Sequence, residues 1–297
     1  MTLMIGNKND SVLIIGADGT IGRSLVAAFK VAGKTVWQTT RRRDRVLGQR
    51  LFLDLSQDVA HWPLPPAPIN AAIFCAAVTS LERCRLDPES SRRVNVVGTI
   101  ALAKRLVEAG VFVVFLSTNL VFAGEKPFAK PTDLVNPRTE YGRQKAEVES
   151  QLLAWGEKIA IVRFSKVMSP YMPLFQGWIR DLKAGKVIHP FSDMVMAPVS
   201  LTFAVNVLSE ATERRVPGIF HVSAKQDVSY AAAAQHIARK LGVEMELVQP
   251  TSYREYGVDL APQNTSLDSS RLIDLGLCAP HAWDAFEESE VRETMTV

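Results

Sequence analysis

Tyr141 and Lys145 stand four residues apart in the stretch Tyr141-Gly-Arg-Gln-Lys145, and Thr118 precedes them at the end of an apolar run. Residues four apart on a helix share one face. A phenol beside an ammonium is an acid–base pair. The unperturbed phenol, with a pKa of about 10, is a sluggish base at neutral pH. A neighbouring cation favours its ionised form and draws it toward the working range. A threonine hydroxyl nearby can hydrogen-bond a carbonyl oxygen and orient it. Together the three suit proton transfer at a carbonyl oxygen while a hydride moves at the carbon. A plain structural reading stands beside this one. Tyr and Lys four apart also form an ordinary amphipathic edge, and a threonine ending a strand commonly caps the next turn.

Hydride chemistry needs a carrier, and the N-terminal region offers it a seat. Gly16, Gly19 and Gly22 punctuate the stretch Gly16-Ala-Asp-Gly-Thr-Ile-Gly22, directly after the apolar run Ser11-Val-Leu-Ile-Ile15. Glycine takes positive φ and lets a backbone approach a pyrophosphate without a Cβ in the way. A helix beginning near Thr20 aims its free N–H groups and positive dipole end at such a group. Glycines also close ordinary strand-to-helix turns, but the position after the first strand favours dinucleotide binding. An NAD site usually carries Asp or Glu after the second strand. This chain reads Thr39-Thr-Arg41-Arg42-Arg43 there. A guanidinium at that point can grip a 2′-phosphate. NADP is therefore favoured over NAD, with Arg41 or Arg42 as the ligand; a solvated basic loop is the alternative.

The elements that must position these residues follow from periodicity. Strands are expected at 11–16, 35–39, 51–53, 71–75, 111–116 and 159–163, and helices at 20–32, 89–109 and 139–155. Strands alternating with helices argue for a parallel sheet covered on both faces. Later segments predict helices at 171–184, 200–213 and 229–241, strands at 218–222 and 244–248, and a short helix at 268–275. The fold class is thus α/β, a Rossmann-type doubly wound parallel sheet with a smaller C-terminal substrate-binding region. The boundary falls between 1–164 and 165–297, with 198–222 returning to the sheet.

Of the 297 residues, 47% are hydrophobic and 22% charged, enough apolar material for a sizeable core. A net charge of +3 is too small to point to nucleic acid or a membrane surface. Cys75, Cys84 and Cys278 are widely separated, which fits a reducing compartment. The first ten residues lack the pattern of a signal peptide, and no apolar stretch approaches the ~20 residues of a spanning helix. A soluble, cytoplasmic protein is expected. His61, His189, His221, His236 and His281 have no metal-like spacing, and no Gly-x-Ser-x-Gly elbow is present. Trp178 and Arg180 could line a cleft, although a helical Trp more often packs.

At these residues the chain resembles the extended short-chain dehydrogenase/reductase superfamily, and within it the dTDP-4-dehydrorhamnose reductase-like branch. Leu116-Ser-Thr-Asn-Leu-Val-Phe-Ala-Gly124 is similar to that branch's Ser-Thr-Asp-Tyr-Val-Phe-x-Gly, and Tyr141-Gly-Arg-Gln-Lys145 to its Tyr-Gly-x-x-Lys. Val94-Asn-Val-Val-Gly-Thr99, Arg163 with Ser165, and Asn264-Thr-Ser-Leu-Asp268 resemble three further family segments.

The resemblance implies a catalytic trio of Thr118, Tyr141 and Lys145, and a pyrophosphate seat at Gly16, Gly19, Ile21 and Gly22. It also implies an adenine side at Asp54 and Leu55, a ribose side at Cys75, Ala76 and Ala77, and support from Asn95. Asn119 and Leu120 replace the branch's Asp-Tyr, and Lys166 falls where Trp is common; these three would face the sugar, so the resemblance does not fix the rhamnose precursor as the substrate. The implied activity is NADP(H)-dependent reduction of a nucleotide-linked keto-sugar, with room for a homodimer. An epimerase and a non-catalytic dinucleotide-binding regulatory subunit are the alternatives.

Overall fold

The computed structural model describes residues 11–169, 172–256 and 262–291. Its strands are β1 (Ser11–Ile15), β2 (Thr35–Thr40), β3 (Arg50–Phe52), β4 (Ala71–Phe74), β5 (Phe112–Thr118), β6 (Ile159–Phe164), β7 (Lys166–Met168), β8 (Val195–Met196), β9 (Pro198–Ser200), β10 (Gly218–Val222) and β11 (Val228–Ser229). Its α-helices are α1 (Thr20–Val31), α2 (Leu81–Leu86), α3 (Pro88–Arg92), α4 (Thr99–Glu108), α5 (Glu140–Leu153), α6 (Pro173–Lys183), α7 (Leu201–Arg214), α8 (Tyr230–Leu241) and α9 (Asp284–Val291). The first ten residues and Tyr171, expected to begin a helix, lie outside the described residues.

Seven strands form one parallel sheet in the order β10-β6-β5-β4-β1-β2-β3. Its central strands are apolar on both faces because helices cover both. Val12, Ile14, Ile73 and Val114 pack with Leu25 and Phe29 of α1 and Val207 and Leu208 of α7. Leu13, Ile15, Phe74 and Phe115 pack with Leu102 and Leu106 of α4 and Val148 and Leu152 of α5. The strand order reverses between β1 and β4, so their crossovers leave in opposite directions and a crevice opens at their carboxyl ends. A second apolar cluster joins α6, α8 and α9 through Phe175, Leu182, Ile237 and Phe286. Trp178 belongs to it, edge-on to Phe175 at 5.3 Å between ring centroids. It is therefore core, and Arg180 lies beside Asp181 at the surface.

Three elements differ from the sequence expectation. The helix expected over 89–109 is α3, one turn of π-helix at Arg93–Gly98, and α4. The wide turn coincides with a close approach: a Cβ on Gly98 would sit 2.0 Å from the Leu55 carbonyl oxygen. The strand expected over 244–248 is a 3-10 turn, Met245–Leu247. Alternating Glu244 and Glu246 imitate a strand, but the segment touches its neighbour only through single bridges such as Ile188 with Val248. The short helix expected over 268–275 is a 3-10 segment, Ser270–Leu275, whose Leu272 and Leu275 pack back on the sheet.

A buried ion pair ties α5 to β6 and, through His221, to the edge strand β10. Arg163 on β6 donates from Nε to both Glu149 oxygens at 3.1 Å and from Nη2 to Oε2 at 2.6 Å. Its Nη1 lies 3.1 Å from His221 Nε2, and His221 Nδ1 lies 3.0 Å from the Ala129 carbonyl oxygen. A neutral ring donating from Nδ1 and accepting at Nε2 satisfies both partners. Burial first, and the Arg163 cation second, hold the His221 pKa down to about 4.

The unfolded value is near 6.5, so between the two the folded chain binds fewer protons than the unfolded one. Stability from this group is fully present above pH 6.5 and is lost as pH falls toward 4, by about 3 kcal/mol for the whole shift. Denaturant unfolding at a series of pH values should show this extra acid loss in the native chain. A His221→Asn variant should lack it, and parallel pH curves for the two would refute the assignment.

Candidate active site

A cleft of about 310 Å³ lies at the carboxyl ends of β1 and β4. Gly16, Gly19, Arg41, Leu55, Cys75, Ala76 and Ala77, all singled out from sequence, line it. The glycines differ in purpose. Gly16 has φ +89°, and a Cβ there would lie 2.6 Å from the Ala76 nitrogen. A Cβ on Gly22 would lie 2.3 Å from the Gly16 carbonyl oxygen. These two let backbone pack on backbone. At Gly19 a Cβ would meet only the Gly16 oxygen, at 3.5 Å, so that position stays open toward the cleft. Helix α1 starts at Thr20 after Gly19, which has no side chain to cap it, so among the described residues no N-cap side chain takes up its first-turn N–H groups. Thr39 fixes the turn by accepting from the Gly16 N–H at 2.9 Å through Oγ1 and from the Ala17 N–H at 3.1 Å through its carbonyl.

Helix α5 carries the acid–base pair. Thr139 caps it, accepting from the Gly142 N–H at 3.0 Å. Gly142 has a steric purpose: a Cβ there would lie 2.2 Å from the Leu120 carbonyl oxygen. The first turn of α5 is thereby pressed against the 3-10 turn Asn119–Val121 that follows β5. Lys145 is only 3% exposed; its Nζ donates to the Leu116 carbonyl at 2.6 Å and sits 4.3 Å from the Phe115 ring centroid. The same ammonium is 5.8 Å from the Tyr141 ring centroid. Burial pulls the Lys145 pKa down to about 8, against the opposing pull of Glu149.

The Tyr141 phenol moves opposite to the sequence expectation. Burial pushes its pKa above the usual phenol range, and Cys84 adds to the push. Thr118 is buried, and its Oγ1 accepts from the Leu120 N–H at 3.2 Å and lies 3.3 Å from Asn119 Oδ1. It therefore caps the turn as well as flanking the site. Burial pushes the Cys75 thiol up to about 12 despite the nearby Lys145, which disfavours its thiolate.

The hydrogen bonds of Asn95, given a supporting role by the resemblance, run to protein groups. Its Oδ1 accepts from the Val78 N–H at 2.7 Å, while Nδ2 donates to the Val78 carbonyl at 2.9 Å and to Gln144 Oε1 at 2.8 Å. Asn95 thus fastens the loop after β4 to α5 between Tyr141 and Lys145. Asp54 caps its own turn, with Oδ1 accepting from the Ser56 N–H at 3.0 Å, while Leu55 lines the cleft. Arg42 lies outside the lining, unlike Arg41. Among the described residues no cluster could hold a metal ion, and no helix is long and apolar enough to cross a membrane.

Residues 10–294 match the family model described as the RmlD substrate binding domain. The chain belongs to this family. Among curated relatives, it is 26% identical over 292 residues to dTDP-4-dehydrorhamnose reductase of Aggregatibacter actinomycetemcomitans, covering 92% of this chain and 95% of that one. It is 24% identical over 287 residues to methionine adenosyltransferase 2 subunit beta of Bos taurus, covering 91% and 83%. A solved dTDP-4-dehydrorhamnose reductase from Clostridium acetobutylicum superimposes with a TM-score of 0.82 at 25% identity, covering 96% of this chain and all of that one.

Within the RmlD family frame, this chain's departures cluster near the trio. Asn119 and Leu120 form the half-buried turn beside Thr118. Lys166 opens β7, two residues beyond Phe164, which pairs with Thr118. Burial lowers the pKa of its ammonium. Sequence reading missed Gln144, Asp18 and Arg50. Asp18 was visible inside the glycine turn, but Arg50 reaches it only through the pairing of β3 with β2, which has no local signal.

The two glycines nearest the helix start give opposite outcomes on substitution. Gly22→Ala forces a Cβ against fixed backbone and should cost about 1–3 kcal/mol of stability in thermal unfolding. Gly19→Ala should melt within about 2 °C of the native chain yet weaken dinucleotide binding at least tenfold, or by about 1.4 kcal/mol. Equal loss of stability in both variants would refute the distinction.

Proposed function

We propose that the chain is an NADP(H)-dependent reductase of a nucleotide-linked keto-sugar. The observation that carries this reading is Lys145, a buried ammonium at the carboxyl end of β5, held against the Leu116 carbonyl and beside Tyr141. Bound NADP(H) supplies the hydride for the carbonyl carbon. The residues present fit such a group. Gly16, Gly19 and the main chain of Thr20, Ile21 and Gly22 would hold the pyrophosphate. Arg41 would meet the 2′-phosphate, Leu55 the adenine, and Cys75, Ala76 and Ala77 the ribose. The open position at Gly19 and the uncapped start of α1 are what an anionic bridge requires.

Tyr141 acts as the proton donor. A phenol with a raised pKa stays protonated at neutral pH, which suits donation to the oxygen of a reduced carbonyl. Lys145 stabilises the phenolate left behind. Thr118 orients the oxygen by turning its hydroxyl proton away from Asn119, its partner at 3.3 Å. Asn119, Leu120 and Lys166 would contact the sugar. An epimerase would use the same trio with no net change in cofactor. Similarity to a protein named as a methionine adenosyltransferase subunit favours a second reading, a non-catalytic dinucleotide-binding subunit.

Mixing NADPH with a panel of 4-keto sugar nucleotides separates the three. Net loss of reduced-cofactor absorbance is expected. Isomerised sugar without that loss indicates the epimerase, and binding without turnover the subunit. Tyr141→Phe should lower the reductive rate at least about 100-fold and leave cofactor affinity unchanged. The native rate should also decline as pH rises through about 8, where Lys145 loses its proton. A rate that stays flat to pH 10 would count against Lys145.

A further inference from the structure

Asp18 sits inside the glycine turn, where seating a pyrophosphate asks for no acid. Its Oδ2 accepts from Thr40 Oγ1 at 2.6 Å, and its Oδ1 accepts from Arg50 Nη2 and faces Arg45 Nη1 at 3.6 Å. Burial raises the Asp18 pKa, but the Thr40 hydrogen bond and the charges of Arg50, Arg45 and Arg42 outweigh it and keep the carboxylate ionised. Asp18, Thr40 and Arg41 line the cleft, whereas Arg45 and Arg50 stand behind that lining and meet it through Asp18. The two arginines are not saturated by this one carboxylate. The Arg50 side chain is 26% exposed, and its buried Nε–H has no partner among the described residues. The Arg45 side chain is 46% exposed. A guanidinium has five N–H donors. One carboxylate against two arginines also leaves this rim with a net positive charge.

We propose that Asp18, Arg45 and Arg50 determine selectivity for the 2′-phosphate of a dinucleotide. Asp18 is the positioning residue, holding both guanidiniums beside Thr40 and Arg41, and their remaining N–H groups take the phosphate oxygens. The arginines also occupy the carboxylate. Left free, it would be the acid that a ribose diol prefers. The proposal rests on the dinucleotide reading above and adds to it which residues choose between the phosphorylated and the plain ribose.

The test uses the full chain and two fragments of the adenosine end, adenosine 2′,5′-bisphosphate and adenosine 5′-monophosphate, titrated by calorimetry. The native chain should prefer the bisphosphate at least tenfold. Arg50→Met should reduce that preference about tenfold, mostly by weakening the bisphosphate. Asp18→Asn should reduce it too, even though a negative charge is removed. Tighter bisphosphate binding by Asp18→Asn would show that the carboxylate merely repels, and would overturn the proposal. So would an unchanged preference in a folded Arg50→Met chain. Should that variant not fold, Arg45→Met, at a half-exposed position, must lower the preference instead. A native chain that binds both fragments equally sinks this selectivity while leaving the dinucleotide reading intact. A chain that binds neither sinks both.

Discussion

Burying one ammonium sets the terms for the rest of the site. Removing a lysine charge from water costs several kcal/mol even after relaxation, so Lys145 must be compensated where it lies. The Leu116 carbonyl at 2.6 Å, the face of Phe115 at 4.3 Å and the Glu149 charge one turn along α5 provide this. The first two reach the lysine only because α5 lies hard against the end of β5. Gly142 makes that approach sterically possible, and Gln144 secures it through Asn95. Because Asn95 also grips both backbone groups of Val78, the cleft wall after β4 and the helix bearing Tyr141 are one connected assembly. A small displacement of either would be felt by the other.

Much of this architecture is legible in the sequence because it follows from period and punctuation. The runs at β1, β4, β5 and β6 are apolar without alternation, as strands covered on two faces must be. Gly33 ends the first helix, and Ser229 caps the eighth by accepting from Ala232 at 3.0 Å. The spacing of Tyr141 and Lys145 places them on one helical face whatever the tertiary context. Residues whose task depends on distant backbone were not legible. Gly98 and Gly142 look like ordinary helical glycines until Leu55 and Leu120 are seen beside them. Asn95 matched a motif, but its partners Val78 and Gln144 come from two other segments. The direction of the Tyr141 shift was missed for the same reason. A nearby lysine was inferred from spacing, whereas the amount of burial is set by the whole fold.

Three cations show how hydrogen-bond satisfaction separates structural from functional charge. Arg163 is nearly saturated: Glu149 takes it through both oxygens, His221 accepts from a third nitrogen, and Phe122 lies 5.0 Å from the guanidinium. Such a group has little capacity left for a ligand, and its role is to lock α5, β6 and β10 together. Lys145 is compensated only in part. A neutral carbonyl, an aromatic face and a carboxylate already bound by Arg163 leave its proton labile near pH 8, which suits a group that must stabilise a transient phenolate. Arg50 shares one carboxylate with Arg45 and has a buried donor unmatched. Lys145 lies at the carboxyl end of β5, and Arg50, which opens β3, reaches Asp18 just beyond the carboxyl end of β1. The saturated one lies deeper, at the packed join between α5 and the sheet. Of these three cations, the two with hydrogen-bonding capacity to spare are thus the two that stand beside the groups proposed to meet a ligand.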